Sequence, residues 1–258
     1  KNDNNALPIK KDAKIALIGE MARTPRYQGA GSSLINPIKL DSAYDTLKEM
    51  GADFTFAAGY TLKGKNKKAN EMVAEAVNNA KNADVALVFV GLTDDYETEG
   101  NDRSHINLPP IHNTLVEEVL KVNPNTIVVL SGGASVTMPW ADKVPAILNM
   151  FLTGQAGGSA VCDIIFGDVN PSGKLAETYP IALEDNSSYN FFPGTSVSVE
   201  YRESVYVGYK YYDTAKKEVA FPFGHGLSYT TFEYSDVKVS GDKIKDTDTV
   251  TVSFKIKN

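Results

Sequence analysis

The chain has 258 residues, 42% hydrophobic and 22% charged, a composition typical of a globular protein with a substantial core. A formal net charge of -6 argues against a nucleic-acid partner, because such a partner needs a basic face. One cysteine excludes an internal disulfide, and the three histidines lack metal-ligand spacing, so we expect no metal and no cofactor. No apolar run approaches the roughly 18 residues of a membrane span, so we expect no membrane partner.

The chain up to residue 168 alternates strand-like and helix-like segments. Short apolar runs at 14–19, 53–59, 84–91, 125–133 and 144–152 predict strands, and helical spacing predicts helices at 40–51, 68–83, 109–123 and 154–168. The run DVALVFVG at 84–91 is apolar throughout, which is typical of a parallel strand covered on both faces. Repeated strand–helix units predict a layered α/β sandwich with a mostly parallel sheet and right-handed crossovers.

From about residue 171 the pattern changes to loops rich in glycine and aromatic residues. The stretch YRESVYVGYKYYD at 201–213 is strand-like, and we expect Tyr211 and Tyr212 to pack there, at a seam between domains. Residues 231–258 alternate apolar and polar side chains as antiparallel strands do. Because two strands cannot bury a core, we expect one α/β domain over 1–230 and the truncated start of an antiparallel β domain over 231–258.

The stretch DDYETEGNDR at 94–103 follows the strand at 84–91, and six of its ten residues are charged. Loops at the carboxyl ends of strands are where open α/β sheets meet their ligands. If the segment is extended, Glu97 and Glu99 point to the same side, and Gly100 allows a tight turn. Asp102 and Arg103 could form a local ion pair. Two interpretations stay open: a solvated acidic loop, or a loop that positions a general acid or base.

Two further loops bear on whether the protein could bind a nucleotide or act as a serine hydrolase. The glycine-rich stretch YQGAGSSLINP at 27–37 lacks the full GxGxxG or GK[ST] pattern of a phosphate loop, so it is either a ligand-facing loop or a tight connection. The stretch SGGASVTMPW at 131–140 lacks the GxSxG of a nucleophile elbow, and no histidine stands near it. A nucleotide-binding protein and a serine hydrolase are therefore disfavoured.

Six stretches, in this order, resemble the second catalytic-region domain of glycoside hydrolase family 3, the β-glucosidase-like enzymes. They are KNDNNALPIKKDAKIALIG, YQGAGSSLINP, ETEGNDRSHINLPP, GQAGGSAVCDIIFGDVNPSGKLAETYP, YVGYKYYD and FPFGHGLSYTTFEY. The resemblance implies an (α/β) sandwich domain over 1–230, followed by a fibronectin type III-like domain that begins at 231. It also implies that the chain is a piece of a larger protein. The sequence itself shows no targeting segment, and it leaves the compartment open between cytoplasmic and secreted.

The resemblance assigns roles to the acidic loop. The family's general acid/base is a glutamate on a loop of this domain, and the EG(x)DR pattern matches it to Glu99. Glu97 is the alternative, because the family's loop varies in length. The residues expected to brace the loop or contact substrate hydroxyls are Asp102, Arg103, Gly31, Ser32 and Ser33.

The function implied is that of the acid/base-bearing domain of a retaining β-glycosidase, expected to act as a β-glucosidase on terminal β-D-glucosyl residues. The expected partners are a β-linked gluco-oligosaccharide or glucoside, and a (β/α)8-type barrel of the same or a companion chain that carries the nucleophile. Without that barrel the chain is expected to be inactive. The alternative is a non-catalytic carbohydrate-binding or structural module that lacks the barrel.

Overall fold

The computed structural model describes residues 1–32, 34–64 and 68–258. The chain forms two compact units, Lys1–Leu227 and Ser228–Asn258. Among the described residues, no helix is long and apolar enough to cross a bilayer, and no group of three or more His, Cys, Asp or Glu side chains could hold a metal ion.

A five-stranded parallel sheet forms the centre of the first unit, as the sequence predicts. Its strands in chain order are β1 (Ile15–Ile18), β2 (Phe54–Ala57), β3 (Val85–Gly91), β4 (Thr126–Ser131) and β5 (Ala146–Phe151). They lie in the order β2-β1-β3-β4-β5, and every neighbouring pair is parallel. All seven residues of β3 are buried, which explains why this strand is apolar throughout.

Four helices connect and cover the strands: α1 (Ala43–Glu49), α2 (Ala69–Lys81), α3 (Pro110–Val122) and α4 (Gly157–Phe166). The chain moves from β1 to β2 in one direction along the sheet, and from β2 through β3 to β4 in the other. Right-handed crossovers therefore place α1 on one face and both α2 and α3 on the opposite face. The packing agrees, because α2 contacts α3 and α1 contacts α4.

The segment at 201–213 does not form the strand that the sequence predicts. It begins as a loop and ends in α5 (Tyr209–Ala215), which starts after Gly208 at φ 56°. Tyrosine favours strands locally, but spacings of three place Tyr209 and Tyr212 on one face of a helix. Tyr209 stacks on Phe223 at 4.6 Å, and Tyr212 is buried with its hydroxyl donating to Asn186 Oδ1 at 3.2 Å. Tertiary packing thus outweighs the local preference for a strand.

Two small antiparallel sheets complete the structure. In the first unit, β6 (Tyr179–Pro180) pairs with β7 (Val219–Phe221). In the second unit, β8 (Glu233–Val239) pairs with β9 (Val252–Lys257), and every residue of both strands is exposed. The antiparallel pairing agrees with the alternating sequence. The domain boundary between residues 230 and 231, and a fibronectin type III-like identity for the second unit, remain predictions.

Candidate functional site

Two loops meet at the carboxyl end of the sheet, one after β1 and one after β3. Because β1 and β3 are neighbours, residues 26–32 and 92–103 lie side by side, and Thr98 bridges in parallel to Ala30. The second loop begins with a turn in which the amides of Tyr96 and Glu97 donate to Thr93 O at 2.9 and 3.0 Å. Thr98 then bridges antiparallel to Asn101, so the chain reverses between them at Glu99 and Gly100.

This reversal sends the two glutamates to different neighbours. An extended segment would point Glu97 and Glu99 to the same side, but the segment is not extended, because Glu97 ends the turn that follows β3, with its amide donating to Thr93 O at 3.0 Å. Glu97 is bonded to Arg26 in the loop after β1 and to Gly133 in the loop after β4, whereas Glu99 is bonded only to Ser32 among the described residues. The carboxylates therefore occupy sites of different construction.

Glu99 is exposed and is held by a single residue. Its Oε2 atom accepts hydrogen bonds from the Ser32 amide at 3.0 Å and the Ser32 hydroxyl at 2.6 Å. Both bonds favour the charged carboxylate, so they hold the pKa of Glu99 below its usual range, the hydroxyl being the larger cause. Gly31, at φ 102°, leaves room for this approach, since a Cβ there would lie 2.7 Å from Oε2 of Glu99. Ser33 lies outside the described residues.

Glu97 is largely enclosed and is bonded from two directions. Its Oε2 atom accepts from Arg26 Nη1 at 2.7 Å and from the Gly133 amide at 2.9 Å. Its backbone oxygen accepts from Arg26 Nη2 at 2.7 Å. The side chain is 21% exposed and that of Arg26 only 6%. Glu97 is therefore tied into the interior by a charged pair rather than presented to a ligand.

Asp102 and Arg103 do not form the ion pair that their adjacency allows. Asp102 is exposed, and no ion pair joins the two within the parts of the chain that the structure describes. Arg103 points inward, with Nη1 3.4 Å from Ser135 O and with Nε and Nη2 buried without a hydrogen-bond partner among the described residues. Burial lowers the pKa of Arg103, while the nearby carboxylates of Glu97 and Glu177 oppose the shift.

Glu177 and Tyr179 lie close to the charged residues of the acidic loop, and the sequence alone could not identify them. Burial, and then the charge of Glu97, raises the pKa of Glu177, while Arg103 lowers it. Tyr179 is 2% exposed and its hydroxyl accepts from Asn149 Nδ2 at 2.9 Å. Only Arg26 is marked in the sequence at all, by its place directly before the glycine-rich loop. Glu177 and Tyr179 stand in LAETYP, more than 70 residues after the loop that they support.

The three histidines have separate surroundings in the structure. His112 is buried in α3, where its Nδ1 accepts the Gly91 amide at 3.2 Å, and burial lowers its pKa to about 3. His105 Nδ1 accepts the Asn107 amide at 3.3 Å, and burial lowers the pKa of His225. His112 therefore has a structural role in fixing the end of β3, because the neutral ring is the form that accepts this bond.

Comparison with known proteins identifies the protein family to which this chain belongs. Residues 1–229 match the glycosyl hydrolase family 3 C-terminal domain. The chain therefore belongs to glycosyl hydrolase family 3, and residues 1–229 are its C-terminal domain. The (α/β) sandwich implied by the sequence is confirmed, and helices cover a parallel sheet as in the solved structures that it resembles.

The similar proteins are named for two different activities. The chain is 49% identical, over its whole length, to thermostable beta-glucosidase B of Acetivibrio thermocellus, and it spans 34% of that protein. Over 93% of its length it is 48% identical to an exo-alpha-(1->6)-L-arabinopyranosidase of Bifidobacterium breve, of which it spans 33%. Among solved structures, a family 3 beta-glucosidase of Bifidobacterium adolescentis matches 99% of the chain with a TM-score of 0.92 at 47% identity, and the match covers 37% of that protein.

Proposed function

We propose that this chain is the acid/base-bearing domain of a retaining β-glycosidase and that Glu99 is the general acid and base. The observation that carries the proposal is the contrast within one loop: Glu99 is exposed and held by Ser32, whereas Glu97 is enclosed by Arg26 and Gly133. A residue that exchanges protons with a substrate must reach it, which favours Glu99 over Glu97.

The two steps of a retaining reaction place opposite demands on Glu99. In the first step it gives a proton to the departing oxygen, and in the second it takes a proton from the attacking water. A second carboxylate about 5–5.5 Å away and the exclusion of water by substrate both disfavour the charged form, which raises its pKa for the first step. Once the nucleophile is esterified its charge is gone, and the two Ser32 bonds again favour the carboxylate that the second step needs.

The nucleophile is assigned to a (β/α)8-type barrel domain of the same or a companion chain. Two observations support such a partner. The chain spans about a third of the length of the relatives it matches. In addition, the segment 192–207 of the first unit exposes an unusual set of large apolar side chains, among them Phe192, Tyr201 and Val205, which are 60%, 82% and 64% exposed. Apolar surface of this kind is typical of a face covered by another structure.

A terminal β-D-glucosyl residue is the substrate that most of the similar proteins' names favour. An α-L-arabinopyranosyl residue is the second candidate, because two relatives at 47–48% identity are named for that activity. The two sugars differ at C4 and in the C6 hydroxymethyl group. The protein that contains this chain should therefore be assayed on aryl glycosides of both sugars, and the ratio of the two kcat/KM values decides between them.

The role of Glu99 is tested by the dependence of rate on the leaving group. In the protein that contains this chain, Glu99→Ala should lower kcat/KM for an alkyl β-glucoside by about 10²–10⁴-fold, because an alkoxide needs the proton of a general acid to depart. For 2,4-dinitrophenyl β-glucoside, whose leaving group needs no proton, kcat/KM should change little. An equal loss on both substrates would assign Glu99 to binding or folding. Sugar binding without turnover in the wild-type protein would favour the non-catalytic module.

A further inference from the structure

Arg26 makes several contacts with the loop that carries Glu99, although its Nε is buried without a hydrogen-bond partner among the described residues. Its Nη1 atom donates to Leu92 O at 2.8 Å and to Glu97 Oε2 at 2.7 Å, and Nη2 donates to Glu97 O at 2.7 Å. Its Nε lies 3.7 Å from Asp94 Oδ1. One guanidinium therefore contacts the first residue after β3, the middle of the following turn and the residue two positions before Glu99.

These contacts join three neighbouring strand ends. Arg26 belongs to the loop after β1, Glu97 to the loop after β3, and Gly133, whose amide donates to the same carboxylate oxygen, to the loop after β4. The backbone comes close to this carboxylate, since a Cβ on Gly133 would lie 3.0 Å from Glu97 Oε1. The position of Glu97 is thereby fixed relative to the sheet by charge-assisted bonds, which are the stronger class.

The burial of Arg26 makes this arrangement hard to replace. A cation whose side chain is 6% exposed is tolerated only when its charge is paired, and Glu97 supplies the carboxylate that pairs with Arg26. Lysine offers a compact charge without the planar fork, so it cannot reproduce the simultaneous contacts with Leu92 O, Glu97 O and Glu97 Oε2. A proton donor must be held to within about 0.5 Å of its productive position, and a shift of about 1 Å costs on the order of 100-fold in rate.

We propose that Arg26 is a positioning residue for the reaction: through Leu92 and Glu97 it fixes the loop tip at which Glu99 meets the glycosidic oxygen. The inference rests on the function proposed above for Glu99. It assigns Glu97 a role as the carboxylate through which Arg26 acts, and it explains why two glutamates stand so close together on this loop.

A matched control lies three residues earlier in the chain. Arg23 also pairs with a glutamate, Glu20, through two hydrogen bonds of 2.7 and 3.2 Å, but its side chain is 49% exposed. Arg23→Ala removes an exposed arginine–carboxylate pair from the same connection after β1 and leaves the contacts of Arg26 with residues 92–97 in place. Its kcat/KM on alkyl and dinitrophenyl β-glucosides should stay at the wild-type level.

The test compares Arg26→Ala, Arg26→Lys and Arg23→Ala in the protein that contains this chain, at a temperature where all variants are folded. Arg26→Ala should lower kcat/KM for the alkyl β-glucoside about 100-fold, with a much smaller loss on the dinitrophenyl glucoside. Arg26→Lys, which keeps the charge, should recover only part of that loss. If Arg26→Ala does not fold, Arg26→Lys carries the test, and wild-type rates for it on the alkyl glucoside would overturn the inference.

An independent readout does not need activity. Backbone amide exchange at Ser32 reports the hydrogen bond to Glu99, and it should speed up in Arg26→Lys but not in Arg23→Ala. Unchanged exchange, or an equal loss of kcat/KM on both glucosides, would show that Arg26 serves stability alone. If Glu99→Ala itself shows no dependence on the leaving group, the proposed function fails. If Glu99→Ala shows it and the Arg26 variants do not, only this inference fails.

Discussion

Glu97 and Glu99 stand two residues apart on one loop, yet they differ in exposure and in hydrogen-bond partners. Glu97 lies against Arg26 and the Gly133 amide and is 21% exposed, so its bonds come from the loops on both sides of β3. Glu99 is exposed, and both of its hydrogen bonds come from Ser32. The same side chain thus ends in an interior ion pair at one position and at a surface accessible to a ligand at the other.

The difference shows that environment decides the role of a carboxylate. A carboxylate that satisfies a buried cation cannot leave that pair without a large cost, so it is suited to holding structure. A carboxylate at the surface, bonded by one neighbouring residue, can take up and release a proton when a substrate approaches. Breaking each set of contacts separately is the way to test the comparison.

The largest expected effect is on stability. Glu97→Ala leaves the buried charge of Arg26 without its partner, so the free energy of unfolding should fall by on the order of 3 kcal/mol. At roughly 2–4 °C per kcal/mol for a domain of this size, Tm should fall by about 6–12 °C. Glu99→Ala should stay within about 0.5 kcal/mol of the wild type. Thermal unfolding of the two variants measures the contrast, and equal losses would contradict it.

A smaller loss of stability is expected at the contact between the loop after β1 and the loop after β3. Gly31→Ala places a Cβ 2.8 Å from Glu99 Cβ at a backbone φ of 102°, so strain and displacement of Glu99 should together cost about 1–3 kcal/mol. Gly100→Ala is the matched control, because Gly100 also has a positive φ, 83°, but nothing lies within 4 Å of an added Cβ. Denaturant unfolding should show the larger loss for Gly31→Ala. A larger loss for Gly100→Ala would mean that the contact between the loops is not tight.

The next prediction concerns pH. Ser32→Ala removes the larger cause of the depressed pKa of Glu99, so that pKa should rise towards its usual range. Because the folded-state pKa lies below the unfolded one, Glu99 contributes stability that is present above the unfolded pKa and lost as pH falls through the folded pKa. Ser32→Ala should therefore flatten the acid limb of the stability profile. A ¹³C NMR titration of the Glu99 carboxyl, unchanged in the variant, would refute this.

The smallest effect is expected at the exposed pair. Arg23→Ala breaks the bond to Glu20 and the contact of the Arg23 guanidinium with the Phe56 ring at 4.7 Å. Exposed ion pairs and exposed cation–π contacts are each worth up to about 1 kcal/mol. Chemical denaturation should therefore show that Arg23→Ala lowers the free energy of unfolding by about 1 kcal/mol. A loss as large as that of Glu97→Ala would mean that burial is not what separates the two arginines.

The sequence predicts the sheet well, and for identifiable reasons. The uninterrupted apolar run at 84–91 predicts a strand with both faces covered, and β3 occupies Val85–Gly91 with every residue buried. The acidic loop is expected at the carboxyl edge because it follows the strand at 84–91, and the glycine-rich loop follows the first strand. Their contact follows because β1 and β3 are neighbours in the sheet.

What the sequence could not supply is contact between distant residues. Arg26 meets Glu97 across 71 residues of chain, and no periodicity links them. The inward direction of Arg103 depends on Ser135 and Glu177, which belong to other loops. Similarly, the helix at Tyr209–Ala215 is set by packing of Tyr209 on Phe223, against the local preference of its residues for a strand.

The most direct measurement of the central claim is azide rescue in the protein that contains this chain. With an activated aryl β-glucoside, Glu99→Ala should stall at the glycosyl-enzyme, because water then lacks its base. Added azide needs no base, so it should restore turnover and give the β-glycosyl azide, with configuration retained. Glu97→Gln, chosen because it keeps the side-chain volume next to Arg26, should form no such product. The azide adduct from Glu97→Gln and not from Glu99→Ala, or from neither variant, would contradict the assignment.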